Sequence, residues 1–427
     1  MKIVIITAGA AGMYCGRCMH DNTLAAALVK AGHDAILLPT YTPIRTDEEN
    51  VSQQRVFFGG INVYLQQKSW LFRHTPWLFD RFLDIPRLLR WVSRFAVNTK
   101  YNKLGGLAIS MLKGSHGKQS KEVSKLVDWL EFEHKPDVII MTNVLLSGII
   151  PEMKRRLKIP IFPTLQGDDI FLQELPQKDR DECIRLIGEN GKHVDGYFVT
   201  SAFYADAMSE YLKLPRDRMH VVYPGLNLKG HGEPREFRTS PPYTIGFFAR
   251  ICPEKGFHHL VDGFLALKQR SDAPPCKLRI SGWLGENNRK FFDEQMKKLA
   301  NYAHDVEHVE CPDLASKVKF MQSIDVLSVP TSYREPKGLY ILEALANGVP
   351  VVQPRHGSFP ELVEKTGGGL LVEPENASAL AEGWCRILND SEMRLETGRM
   401  GKAAVFTHFT AESMARETLR VLNEFVT

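Results

Sequence analysis

The strongest constraint in this sequence is an alternation that occurs twice. Short runs apolar on both faces alternate with helical stretches, and a segment rich in chain breakers separates the two series. The first series opens on Lys2-Ile3-Val4-Ile5-Ile6-Thr7. It continues through a helix predicted over 22–31 (stopped by Gly32) and strands predicted over 35–39, 137–141, 160–163 and 196–200. Runs of this kind, separated by helices, indicate parallel strands covered on both sides. The periodicity stops near 225–243, where Gly225, Gly230, Gly232, Pro241 and Pro242 supply turn and breaker residues. It restarts with strands predicted over 244–249, 277–281, 325–330 and 349–353 and helices over 256–269 and 339–346. The predicted class is therefore α/β, with two tandem doubly wound Rossmann-like domains. The boundaries read as a first domain over 1–225 with an insertion at about 68–115, a linker over 226–243, a second domain over 244–405 and a terminal stretch over 406–427. Folds of this class bind ligands beyond the carboxyl ends of their strands, and a two-domain version is expected to hold its main site in the cleft.

Composition narrows the function classes. The 427 residues carry 54 Lys and Arg against 50 Asp and Glu, and a dispersed net charge of +4 gives no ground for a nucleic-acid partner. No apolar run reaches the roughly 18 residues a membrane-spanning helix needs. The apolar start reads as a first strand rather than a secretory leader, because it runs straight into a glycine loop and a polar helix. Seven scattered cysteines suit a reducing compartment, so a cytoplasmic setting is expected. Cys15-Gly16-Arg17-Cys18, with His20 nearby, finds no second Cys-x-x-Cys pair elsewhere. Four zinc ligands are lacking, so these residues are expected to line a tight loop, with no metal.

The loop after the first strand carries Gly9, Gly12 and Gly16. Its spacing departs from Gly-x-Gly-x-x-Gly, and no acidic residue closely follows the second strand, which disfavours a nicotinamide or flavin enzyme. Glycines there still let the backbone approach a ligand. One stretch, 70–103, breaks the alternation. Leu88, Leu89, Val92, Phe95 and Ala96 fall on one side of a helix and Arg87, Arg90 and Arg94 on the other. It reads either as a core-packed helix with a solvated cationic face or as a surface meeting a membrane or an anionic acceptor.

The second series holds the informative charges. Arg250 and Lys255 flank a strand-to-helix turn, an arrangement suited to clamping a diphosphate. Glu335 lies in a loop at a strand's carboxyl end, Gly338 opens the next helix, and Glu343 stands just over a turn into it. The two glutamates, in Glu335-Pro336-Lys337-Gly338-Leu339-Tyr340-Ile341-Leu342-Glu343, resemble the signature of the retaining glycosyltransferases of family 4. Gly246-Phe247-Phe248-Ala249-Arg250, Lys255-Gly256, Val222-Tyr223-Pro224-Gly225 and Gly357-Ser358-Phe359-Pro360-Glu361 agree in order and spacing.

This resemblance implies the GT-B fold, with the last helix (409–426) crossing back onto the first domain. It implies a nucleotide-diphosphate sugar as co-substrate with no further cofactor, and a glycan, lipid-linked or small-molecule acceptor. Arg250 and Lys255 would hold the donor diphosphate and Glu335 would contact the transferred sugar, making these three the catalytic candidates. Glu343 would take the ribose hydroxyls, and Gly338 and Leu339 would offer N–H groups to phosphate. Gly12 and Gln166 complete the donor side, with Gly16, Asp168 and Tyr64 toward the acceptor. Two positions depart from the family pattern: Gln166 stands where many members have a histidine, and Lys337 where an aromatic residue is usual. An inactive GT-B binding protein and a GT-B phosphorylase or epimerase are the alternatives.

Overall fold

A computed structural model describes residues 1–9, 16–44, 46, 48–53, 104–235 and 237–426. The chain divides into two compact units, Met1–Tyr223 with Met414–Thr427, and Pro224–Ser413. The segment 70–103 lies outside the described residues, as do Gly12, Cys15 and Tyr64.

In the first unit six parallel strands form one sheet: β1 (Lys2–Thr7), β2 (Asp34–Pro39), β3 (Val138–Met141), β4 (Ile161–Leu165), β5 (Tyr197–Val199) and β6 (Met219–Val221). Their order across the sheet is β2-β1-β3-β4-β5-β6. Val4, Ile6, Ile139, Met141, Ile161 and Leu165 are fully buried in its core, as expected of parallel strands covered by helices on both faces. The second unit repeats the plan with β7 (Tyr243–Phe248), β8 (Cys276–Ser281), β9 (Val306–His308), β10 (Val326–Leu327), β11 (Val351–Pro354) and β12 (Gly369–Val372), ordered β12-β11-β10-β7-β8-β9. Each sheet reverses its strand order beside its first strand, between β1 and β3 in one and between β7 and β10 in the other. In an open parallel sheet the loops leaving two such strands diverge to opposite faces and leave a ligand-sized crevice.

Several boundaries differ from the sequence expectation. The first helix begins at Gly16 and ends at Lys30, so part of the expected glycine loop is helix. Its buried face carries Cys18, His20, Asp21, Asn22 and Thr23, which hides the apolar periodicity. Residues 226–243, expected as a linker, belong to the second unit. There Leu226 forms a bridge with Thr410, and the Arg235 guanidinium donates to the Ile324 carbonyl. Helix Ser391–His408 runs past the expected domain end at 405, and the final helix is Ala411–Leu422. Phe425, just beyond it, packs edge-on against Phe162 of β4 at 5.1 Å.

One glycine ties the two loops of the second crevice together. Gly256 has φ +68°, and a Cβ there would stand 1.7 Å from the carbonyl oxygen of Pro330, beyond β10. Gly256→Ala therefore has to strain the backbone and push the loops apart. We expect it to lower stability by about 1–3 kcal/mol, read as a fall in midpoint by urea or thermal unfolding. An unchanged midpoint would mean that the loops separate without cost.

Candidate functional site

The crevice between β7 and β10 gathers most of the residues singled out in the second series. Lys255 ends a single turn, Pro253–Lys255, that follows β7, and Glu335 lies in the loop after β10. The Lys255 ammonium donates directly to Glu335 Oε2. The Tyr340 hydroxyl donates to the same oxygen at 3.3 Å, and the Lys255 ammonium lies 5.4 Å from the centre of the Tyr340 ring. Glu335 is only 5% exposed. Burial alone would push its carboxyl up, but the charge and hydrogen bond of Lys255, with the charges of Lys337 and Arg250, hold it below the ordinary carboxylate range. Tyr340 is driven the other way, well above the ordinary phenol value, by burial and by the Glu335 charge, so it stays a neutral donor.

The backbone around Glu335 is equally fixed. Its carbonyl accepts the Ser358 N–H at 2.8 Å. A Cβ on Gly357 (φ +62°) would fall 2.7 Å from both the N and the O of Glu335. Arg250, two residues beyond β7, is exposed. Gly338 caps the helix Leu339–Ala346 in the left-handed conformation, with φ +57°. Gly338 is buried and Leu339 half-buried, and the first N–H groups of any helix lack partners within it.

Glu343 is also buried, and its Oε1 accepts from Lys317 Nζ at 2.7 Å. Lys317, on the helix Leu314–Gln322, was not singled out from the sequence, and neither were Tyr340 and Gly357. A buried lysine inside a helix is the signal that could have found Lys317, since an unpaired ammonium there would be costly.

The first unit has its own polar centre, at the β1–β3 reversal. Asp21, on the first helix, is buried; its Oδ2 accepts from Thr7 Oγ1 at 2.9 Å, and its Oδ1 from Gln166 Nε2 at 3.1 Å. The same Gln166 amide donates to the Thr142 carbonyl at 3.1 Å. Burial raises the Asp21 carboxyl, but His20, Thr142 and Thr7 together hold it below its ordinary value. Asp168 is fully buried, and its Oδ2 accepts the Gln166 N–H at 3.1 Å. Gly16 is exposed at the start of the first helix, and Cys18 is buried. Among the described residues no group of three or more His, Cys, Asp or Glu side chains is placed to hold a metal ion, and no helix is long and apolar enough to cross a membrane.

Two doubly wound sheets, one with cations and a buried carboxylate at its strand-order reversal, define an α/β protein of a class that binds anionic ligands at strand ends. Comparison with known proteins makes this specific. Residues 22–225 match the family model described as "Glycosyl transferase 4-like domain", and 233–404 match "Glycosyl transferases group 1". The chain is 23% identical to an uncharacterized glycosyltransferase of Methanocaldococcus jannaschii, over 95% of this chain and 93% of that one. In structure it is similar to sucrose-phosphate synthase of Thermosynechococcus elongatus, with TM-score 0.71, 18% identity and 99% of each chain covered. It is also similar to Anabaena HepE in complex with UDP-glucose, with TM-score 0.66, 16% identity and 99% of each chain covered. The chain belongs to the group 1 glycosyltransferases and has the GT-B fold.

The charge at Glu335 makes a pH prediction. Its carboxyl lies below 4.5 in the fold, so the unfolded chain takes up this proton at a higher pH than the folded one. The stabilisation is therefore present above about pH 4.5 and is lost as pH falls through the folded value. Glu335→Gln is expected to lose less stability than the parent between about pH 5 and pH 3, measured by urea unfolding at stepped pH. Parallel curves for the two proteins would show that the pair does not hold the proton off.

Proposed function

We propose that this glycosyltransferase moves a sugar from a nucleotide-diphosphate donor to a hydroxyl of a glycan, lipid-linked or small-molecule acceptor, with retention of anomeric configuration and without a metal ion. The observation that carries this reading is the charge gathered at Glu335. Lys255 bonds that carboxylate directly, and the charges of Arg250 and Lys337 also favour its ionised form, a gathering of cations that suits a donor diphosphate. The helix start at Leu339 adds its dipole. A structural neighbour, Anabaena HepE, is described in complex with UDP-glucose.

The chemistry follows from where charge develops. Breaking the bond between the anomeric carbon and the phosphate oxygen builds negative charge on the leaving diphosphate. Arg250, Lys255 and the helix start supply positive charge to meet it in this reading. Positive charge grows at the anomeric carbon, where Glu335 offsets it and orients the sugar hydroxyls. The acceptor oxygen bonds to that carbon on the face the phosphate leaves, and the acceptor proton passes to the departing phosphate oxygen. Glu343 accepts hydrogen bonds from the ribose hydroxyls, and Gln166 bonds a donor hydroxyl in place of the family's histidine. Gly12, Gly16, Asp168 and Tyr64 complete the donor and acceptor sides in this reading.

A screen of donor hydrolysis and transfer over UDP-, GDP- and ADP-sugars tests it, run with and without EDTA. Turnover of one donor, undiminished by chelator, is expected; no turnover with any donor, or loss in EDTA restored by Mg²⁺, would sink the corresponding part. Glu343→Ala should weaken nucleotide binding about 10- to 100-fold, the range of a charged hydrogen bond. Glu335→Ala should abolish transfer while free nucleotide binds nearly as before, and calorimetry giving the reverse order would exchange the two roles.

The cationic stretch 70–103 supports peripheral contact with an anionic membrane surface carrying a lipid-linked acceptor. Its sequence holds the basic Arg87, Arg90 and Arg94 beside an apolar stripe. Co-sedimentation with anionic vesicles is expected at low salt, fading as salt rises and when these three arginines are changed to Ser. Protein left wholly in the supernatant at low salt would remove the membrane from the scheme.

A further inference from the structure

The Lys317–Glu343 pair is unusual in its setting. Every residue of the helix Leu339–Ala346 after Leu339 is buried, and Glu343 is the one charged residue among them. Lys317 reaches the glutamate from a separate helix, 26 residues away in sequence, and the two side chains are 5% and 9% exposed. Two apolar side chains of similar volume would fill such a place with equal or greater stability, because burying both charges costs more solvation than their attraction returns in most geometries. Stability alone therefore does not account for this pair.

Its geometry gives a better account. Lys317 meets Glu343 at Oε1. The neighbouring Asn347 amide donates to the Glu343 backbone carbonyl at 2.8 Å, not to the carboxylate. Oε2 has no hydrogen-bond partner among the described residues, and the side chain keeps a small part of its surface open. One oxygen is tied by a buried cation and the other is held ready to accept. We infer that Lys317 is a positioning residue for donor recognition, turning the Glu343 carboxylate so that Oε2 meets the vicinal hydroxyls of a nucleotide ribose. This inference rests on the donor reading above. The pair is formally neutral, which suits a neutral sugar ring, whereas the Lys255 ammonium at Glu335 suits a diphosphate.

A positioning role has a signature that a packing role lacks, namely selective loss for ligands that carry the ribose 2′-hydroxyl. The probes are UDP-, GDP- and ADP-glucose. The tightest binder is then compared with its 2′-deoxy counterpart by calorimetry, on the full chain. The parent is expected to favour the ribose form at least tenfold. Lys317→Met should weaken the ribose form about tenfold and leave the 2′-deoxy form nearly unchanged, while Lys317→Arg restores most of the preference. Lys317→Met combined with Glu343→Gln should lose no more than Glu343→Gln alone. Equal weakening of both probes, or an unchanged ratio, overturns the role of Lys317. Should Lys317→Met fail to fold, Lys317→Gln is held to the same ratio test, where an unchanged preference counts against the inference. No binding of any of the three probes by the parent would overturn the donor reading itself, and this role with it.

Discussion

One buried ion pair, Lys255 with Glu335, organises the second unit's crevice. The strands on either side of the reversal, β7 and β10, send their loops apart, and nothing in the parallel ladder holds those loops near each other. The pair does so across 80 residues of sequence. The Tyr333 N–H donating to the Glu254 carbonyl at 3.3 Å and the close approach of Gly256 to Pro330 act in the same direction. Because Glu335 is buried, it needs the cation beside it; because Lys255 is partly exposed, the cation remains within reach of an anion. The same contact thus ties the two loops together and leaves the Lys255 ammonium partly open to solvent.

The first unit meets the same topological problem with different chemistry. Its reversal, between β1 and β3, also carries a buried carboxylate, that of Asp21. Here the carboxylate is satisfied by the hydroxyl of Thr7 and the amide of Gln166, with the His20 ring 3.3 Å from Oδ1. The bonds named to this carboxylate come from a hydroxyl, an amide and an imidazole rather than from a lysine ammonium. The second unit's crevice therefore sets a lysine ammonium against its buried carboxylate, while the polar centre of the first holds Gln166 in a set orientation.

Much of the fold was legible because its core strands are dense in Ile, Val and Leu. The runs at β1, β2, β3, β7 and β8 appear within a residue or two of where the sequence places them. The edge strand β12 and the three-residue strands β6 and β9 are absent from the sequence reading. All three lie at a sheet edge and are only partly buried, and β6 and β9 also lack the apolar run that marks a central strand. The start of the first helix was hidden for the opposite reason, since its buried face is polar. The breaker-rich stretch 226–243 does interrupt the periodicity, but its backbone bonds hold it against the second sheet's own helices, as at Leu226 with Phe409.

By itself the sequence determined the class of fold and the order of the central strands, and therefore which loops emerge at their carboxyl ends. Hydrophobic period is a local property, and local readings suffice for it. It also marked Arg250, Lys255, Glu335 and Glu343 by type and spacing. Only the tertiary structure decided which charges meet. Lys255 finds Glu335 because β7 and β10 lie side by side in the sheet, and Lys317 finds Glu343 because two helices separated by β10 pack together. Such pairings depend on the order of strands in space, and no periodicity along the chain records that order.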